Sequence, residues 1–176
     1  MSKKIDYATL PAEEWQKLRD EFMARHQDMP SPKPIECLNL IMRREFAEQI
    51  LNGTKIIEFR AASEHYYQRI VDKEVINYLE SHDDITEDEE REFVPILRPV
   101  KKIHFHNYNN SWFLDVECNL VDIIAVIKSN VEWLQETYNC HELDELYNDL
   151  EKTHAIERPI FLIFECGKVI DTNLNN

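Results

Sequence analysis

The most informative stretch for chemistry is Asn52-Gly-Thr-Lys-Ile-Ile-Glu-Phe-Arg60. A helix ends at Gly53, where a left-handed C-cap is expected, and a strand over Lys55–Arg60 follows directly. The side-chain period of two puts Glu58 and Arg60 on one face of that strand. Lys55 lies at its start, where a bend can turn it the same way. Taken alone, a Lys–Glu–Arg cluster beside a glycine turn is ordinarily a surface ion-pair network. Two other groups have reactive side chains. His104 and His106 lie two apart on an expected strand and point the same way, as a metal pair would, but no nearby third ligand can be named. Two histidines on a half-exposed sheet face is the plainer reading. Cys118 with one of these histidines would make a nucleophilic pair, yet no sequence feature activates the thiol.

The elements that must position these residues follow from periodicity. Residues 10–26 read as an amphipathic helix with Trp15, Leu18 and Phe22 on one stripe, Thr9 as its cap and Pro11 in its first turn. It reads as an N-terminal extension packed on the main domain through Trp15 and Phe22. Pro30, Pro32 and Pro34 then force an extended linker. Cys37–Met42 is expected as a buried strand and Arg43–Asn52 as a helix. Residues 63–80 are expected to be helical, and the acidic residues 81–92 a surface loop or helix end. Lys101–Tyr108 alternates as a strand, Trp112–Ile127 is long enough for one bent strand or two, and Pro159–Ile170 closes the chain as a strand. Val131–Tyr138 and Leu143–Leu150 form an acidic helical pair. Most strands have no crossover helix between them, so the class is α+β, a small mixed sheet or barrel with helices outside.

Composition removes whole classes of function. With only Gly53 and Gly167 in 176 residues, no Gly-rich phosphate loop can be assembled, which excludes Rossmann dehydrogenases and P-loop NTPases. The net charge of −14 would argue against a nucleic-acid partner. Its distribution weakens that argument, because residues 83–92 and 132–151 hold nearly all of it as two solvated acidic segments. No apolar run is long enough for a membrane helix, and Met1–Asp6 is a short polar start with no signal peptide behind it. Four scattered cysteines fit neither a zinc ribbon nor a secreted disulfide scaffold. The expectation is a cytoplasmic protein with no membrane partner and no cofactor.

The pattern Leu38-x-Leu40, then Phe46-x3-Ile50-Leu51-x-Gly53-x-Lys55-x2-Glu58-x-Arg60, resembles the ASCH domain, a branch of the PUA-like superfamily. Tyr66, Arg69, Phe105-x-Asn107-Tyr108, the Phe113–Ile127 strand and the closing Ile160–Phe164…Gly167 strand continue the likeness. The resemblance covers about residues 37–170. Residues 1–34 stand as an N-terminal helix and Pro-rich linker, 35–176 as the ASCH-type domain, and 71–100 as an unmatched acidic insertion. It implies a PUA-like barrel of about six strands with a cleft beside the first helix–strand turn.

ASCH domains are thought to bind RNA or nucleotides. Carried over by position, Lys55, Glu58 and Arg60 would line the cleft, with Arg69, Asn107 and Tyr108 as neighbours. Lys55 and Arg60 would hold a phosphate or carbonyl oxygen, and Glu58 would accept from a base amino group. Tyr66, Tyr67, Phe105 or Tyr108 would stack on the base. The expected partner is single-stranded RNA, a nucleotide or a modified nucleoside. Some small ASCH proteins are amidohydrolases of N(4)-acetylcytidine that use a lysine, a threonine three residues later and a distant glutamate. Here that threonine position holds Glu58, Thr54 is out of register, and Glu136 or Glu142 falls near the distant acid. An enzyme with Lys55 and Glu58 in catalytic roles would therefore be a metal-free hydrolase of a modified nucleoside, or a ribonuclease, by another route. A protein-interaction module using residues 10–26 or the acidic helices is the third class.

Overall fold

In the computed structural model, residues 5–174 are described. In chain order the elements are α1 (Ala12–Arg25), β1 (Leu38–Ile41), α2 (Arg44–Leu51), β2 (Ile57–Ala61), α3 (Glu64–Ile70) and α4 (Lys73–Glu80). Then come α5 (Glu87–Phe93), β3 (Lys102–His106), β4 (Phe113–Ala125), α6 (Lys128–Tyr138), α7 (Asp144–Lys152) and β5 (Ile160–Thr172). The chain divides into two compact units. One takes the described residues of Met1–Lys33 with Val71–Leu97, and the other takes Pro34–Ile70 with the chain from Arg98 onward.

The smaller unit is helical. Phe22 of α1 is fully buried with Val75, Phe93 and Val94, and Tyr7, Trp15 and Leu18 pack against this cluster. The apolar stripe of α1 therefore meets α4 and α5. Trp15 Nε1 donates to Glu92 at 2.6 Å, and Arg25 pairs with Glu89 at 2.5 Å. Thr9 does not cap α1, since its hydroxyl donates to Asp6 and Pro11 holds the N-cap position. Of the loop and helix alternatives for the acidic segment, its second half is a helix: Thr86 and Glu89 form a reciprocal capping box that starts α5. Residues 63–80 form two helices, because α4 restarts at Asp72, whose carboxylate accepts from the Glu74 amide.

The larger unit is built on a five-stranded mixed sheet in the order β1-β3-β4-β5-β2, with β1 parallel to β3 and every other pair antiparallel. Trp112–Ile127 gives one bent strand. The register of β4 against β5 shifts at Asp115/Val116, Val116/Cys118 and Cys118/Leu120, and such bulges bend and twist a strand. The sheet thereby curls into a half-barrel. Gly167 lies at this bend, where a Cβ would stand 2.6 Å from the Asn119 Oδ1 atom. Ile103, Phe105, Leu114, Val116, Leu162 and Phe164 are fully buried, and α6 and α7 pack over Ile57, Ile124 and Ile163.

The expected sixth strand is not present among the described residues. Two guanidinium groups serve the free edge of β1 instead. Arg69 donates to the Asn39 carbonyl at 3.0 Å and Arg60 donates to the Ile41 carbonyl at 2.9 Å. Carbonyls two residues apart point to the same edge, so side chains from β2 and α3 satisfy acceptors that another strand would have taken. No helix among the described residues is long and apolar enough to cross a membrane.

Candidate functional site

The site starts from the end of α2. Asn52 is still near helical geometry, Gly53 enters the left-handed region at φ +80°, and the amides of Thr54 and Lys55 both donate to the Gln49 carbonyl. This closure reverses the chain within a few residues and fixes Lys55 to the end of the helix. Thr54 is consumed by the turn, because its hydroxyl donates to Asn52 Oδ1 at 2.7 Å and contacts the Gln49 carbonyl. It is not a free nucleophile.

Lys55 is 7% exposed, which is rare for lysine without a partner. Its ammonium lies 5.8 Å and 5.6 Å from the ring centres of Phe46 and Phe59, inside cation–π range. It contacts Glu142 at 2.5 Å and Glu58 at 3.7 Å. Glu58, 6% exposed, accepts from Arg60 Nη2 at 2.8 Å, as the shared strand face required. Burial pushes the Glu58 carboxyl above its ordinary range, and the positive charges of Arg60 and Lys55 do not fully offset that cost. Arg60 Nε is buried without a hydrogen-bond partner. Two cations and two carboxylates thus meet here, with one guanidinium nitrogen left unpaired.

These groups form the floor of a cleft of about 780 Å³. One wall comes from the end of β1 and the start of α2, including Phe46; the other comes from Asn107, Tyr108 and Trp112 after β3. Arg43 and Arg44 lie at the rim: Arg43 is well exposed, and Arg44 pairs with Glu48 at 2.7 Å. Asn107 holds the opposing loop through paired contacts with Ser111, at 2.7 and 2.9 Å, which leaves its amide little freedom for a ligand. Tyr108 is 89% exposed, whereas Trp112 is buried in the wall. A further hollow of about 730 Å³ runs along α1 and, among the described residues, is lined by that helix.

Five of the six expected site residues, Lys55, Glu58, Arg60, Asn107 and Tyr108, therefore line one cleft. Arg69 does not line it and instead serves the Asn39 carbonyl. Of the expected stacking residues only Tyr108 faces the cleft. Phe105 is fully buried in the core, and neither Tyr66 nor Tyr67 lines the cleft. Of the two glutamates left open, Glu142 is the one that reaches Lys55. Phe59 and Trp112 went unassigned. Phe59 follows Glu58 on the opposite strand face, and no local pattern brings it near the lysine.

The other candidates resolve into structure. His104 Nδ1 is 2.5 Å from one Asp115 oxygen and Lys102 Nζ is 2.8 Å from the other. Among the described residues no three metal-ligating side chains converge. Burial pushes the Cys118 thiol up to about 12, so a thiolate nucleophile is not available there. His141, beside Cys140, pairs with Asp144 at 2.8 Å. No family model, no curated protein and no solved structure matches the chain.

Proposed function

We propose that this chain carries an ASCH-type domain whose cleft binds a nucleotide or a base of single-stranded RNA. The observation that supports this reading is the buried Lys55–Glu58–Arg60 floor beneath a cleft with an exposed tyrosine on its wall. Lys55 and Arg60 supply donors for a phosphate or carbonyl oxygen, Glu58 supplies an acceptor for an exocyclic amine, and Tyr108 offers a face for stacking. The acidic segments 83–92 and 132–151 do not supply this floor apart from Glu142, so the overall charge does not describe the site.

The test is mass spectrometry of the protein incubated with normal and modified nucleosides, nucleotides and short RNA oligomers, alongside Lys55→Ala. Retention without conversion, lost in the variant, is the expected result. Binding should also weaken steeply with added salt, as phosphate contacts require. Conversion that vanishes in Lys55→Ala would favour a second reading, a metal-free hydrolase of a modified nucleoside. That reading draws on the raised affinity of Glu58 for a proton, caused by its burial, which suits a carboxyl group that takes a proton from water. Neither retention nor conversion would overturn both and direct attention to protein partners of the helices.

A further inference from the structure

Glu142 differs from the other members of the charged floor. Lys55 and Glu58 have side chains only 5% and 8% exposed, whereas the Glu142 side chain is 47% exposed. It comes from the short segment between α6 and α7, behind Asn139 in the left-handed region and ahead of the buried Leu143. Its remaining surface faces solvent, and its carboxylate reaches down to the lysine ammonium at 2.5 Å. Lys55 already has one buried carboxylate opposite it in Glu58, which is held mainly by Arg60. Glu142 is thus the closer of the two carboxylates around Lys55 and the one open to water.

We propose that Glu142 is an internal stand-in for a ligand's anionic group: it occupies the Lys55 subsite while the cleft is empty, and a phosphate or carboxylate oxygen of the ligand displaces it. This rests on the reading of the cleft as a ligand site and adds how that site is guarded. Charge balance gives the reason. With Glu142 in place, Lys55 and Arg60 are matched by Glu58 and Glu142, and the floor is neutral. With Glu142 swung into solvent, the floor carries one net positive charge, while Arg43 and Arg44 at the rim are already matched by Glu45 and Glu48, and so it selects an anion over a neutral nucleoside. Glu142 can leave because much of its surface is already in water. Lys55 cannot follow it, since its stem is fixed by the turn at Gly53 and its head lies between two aromatic rings. An internal competitor lowers the apparent affinity by the fraction of molecules whose subsite is open. It also discriminates, because a ligand without an anionic oxygen gains nothing from displacing it.

The probe that tests this is inorganic phosphate, titrated at constant ionic strength while the Trp112 indole and Lys55 ammonium signals are followed by NMR. Glu142→Gln keeps the shape and removes the charge, and Glu136→Gln, on the neighbouring acidic helix, controls for net charge. The expected result is phosphate binding about tenfold tighter in Glu142→Gln than in the wild type, with Glu136→Gln unchanged. Equal or weaker binding in Glu142→Gln, an equal gain in Glu136→Gln, or no binding to either Glu142 form overturns the proposal. Nucleoside 5′-monophosphates, titrated in parallel, test the reading beneath it. Tight phosphate binding with no added affinity for any nucleotide would leave the guard standing and remove the nucleotide. Nucleotide binding that Glu142→Gln does not improve would do the reverse.

Discussion

Glu58 and Asp115 are both carboxylates of the half-barrel unit, both nearly inaccessible to water, and both set between two basic side chains, yet protons treat them oppositely. Asp115 is 8% exposed and Glu58 is 6%, so accessibility does not separate them. Their partners do. Lys102 and His104 are about one-third exposed and each takes one Asp115 oxygen at short range, 2.8 and 2.5 Å. Burial alone would raise the Asp115 carboxyl, but these two contacts outweigh it and hold it below the usual range. Glu58 has one short contact, to Arg60, and a looser one to Lys55 at 3.7 Å, and both partners are themselves largely buried. There desolvation wins and the carboxyl is pushed up. A buried carboxylate between two bases is thus well paired where the bases reach water and less closely paired where they are buried with it. Perturbation of the second kind, inside a concavity, is what marks a candidate site.

The largest test of this contrast is to remove the lysine from each cluster. Lys55→Ala should cost about 3 kcal/mol of stability, because it leaves buried carboxylate charge short of a partner. It should also abolish phosphate binding in the cleft. Lys102→Ala should leave the urea midpoint close to that of the wild type, since that side chain lies at the surface and His104 remains on Asp115. Equal losses in the two variants, measured by urea unfolding, would mean that the two clusters are held alike.

Tyr108→Ala separates ligand binding from folding. The ring is 89% exposed, so the unfolding midpoint should not move, while affinity for a stacked base should fall by about 1–3 kcal/mol. Phe105, expected from the sequence as another stacking residue, is fully buried, and truncating it should act on stability instead. The alternation of Lys102–His106 already carried that distinction: histidines sharing one face place the phenylalanine between them on the other. The turn at Gly53, the shared face of Glu58 and Arg60, and the mixed strands were legible for the same reason, because local periodicity and a single glycine determine them. Glu142 could be narrowed to two residues only, since the segment between α6 and α7 reaches Lys55 through tertiary packing. The missing strand was illegible too. Its place is taken by Arg60 and Arg69 donating to β1 carbonyls, and a side chain acting on a sheet edge leaves no trace in hydrophobic patterning.

The pH response should run in opposite directions at the two carboxylates. Asp115 binds its proton less readily folded than unfolded, so its contribution is present above the unfolded value and is lost as pH falls through the folded one. Glu58 binds its proton more readily when folded. Its contribution is present below the unfolded value and is lost as pH rises through the raised folded one. Urea unfolding of Glu58→Gln and Asp115→Asn across the acid range reads both. Relative to the wild type, Glu58→Gln should gain as pH rises and Asp115→Asn should gain as pH falls. Slopes of the same sign would mean that the two environments do not differ as described.

The smallest effect sharpens the contrast by touching one cluster through the backbone alone. Gly53 sits at φ +80° with nothing within 4 Å of the position a Cβ would take, so Gly53→Ala adds no clash and only the cost of a left-handed alanine, about 1 kcal/mol. The amides of Thr54 and Lys55 hang from this turn through the Gln49 carbonyl, so relaxing it should move the Lys55 signals and weaken phosphate binding, with Asp115 and His104 undisturbed. Gly53→Asn, which tolerates that conformation better, should recover part of both losses. Gly167→Ala is the counterpart for the other cause: its added Cβ would stand 2.6 Å from a flexible Asn119 side chain, and its effect should follow that residue and be relieved by shortening Asn119 to alanine. If Gly53→Ala and Gly53→Asn lose equally, backbone conformation is not what sets Lys55 on the floor of the cleft.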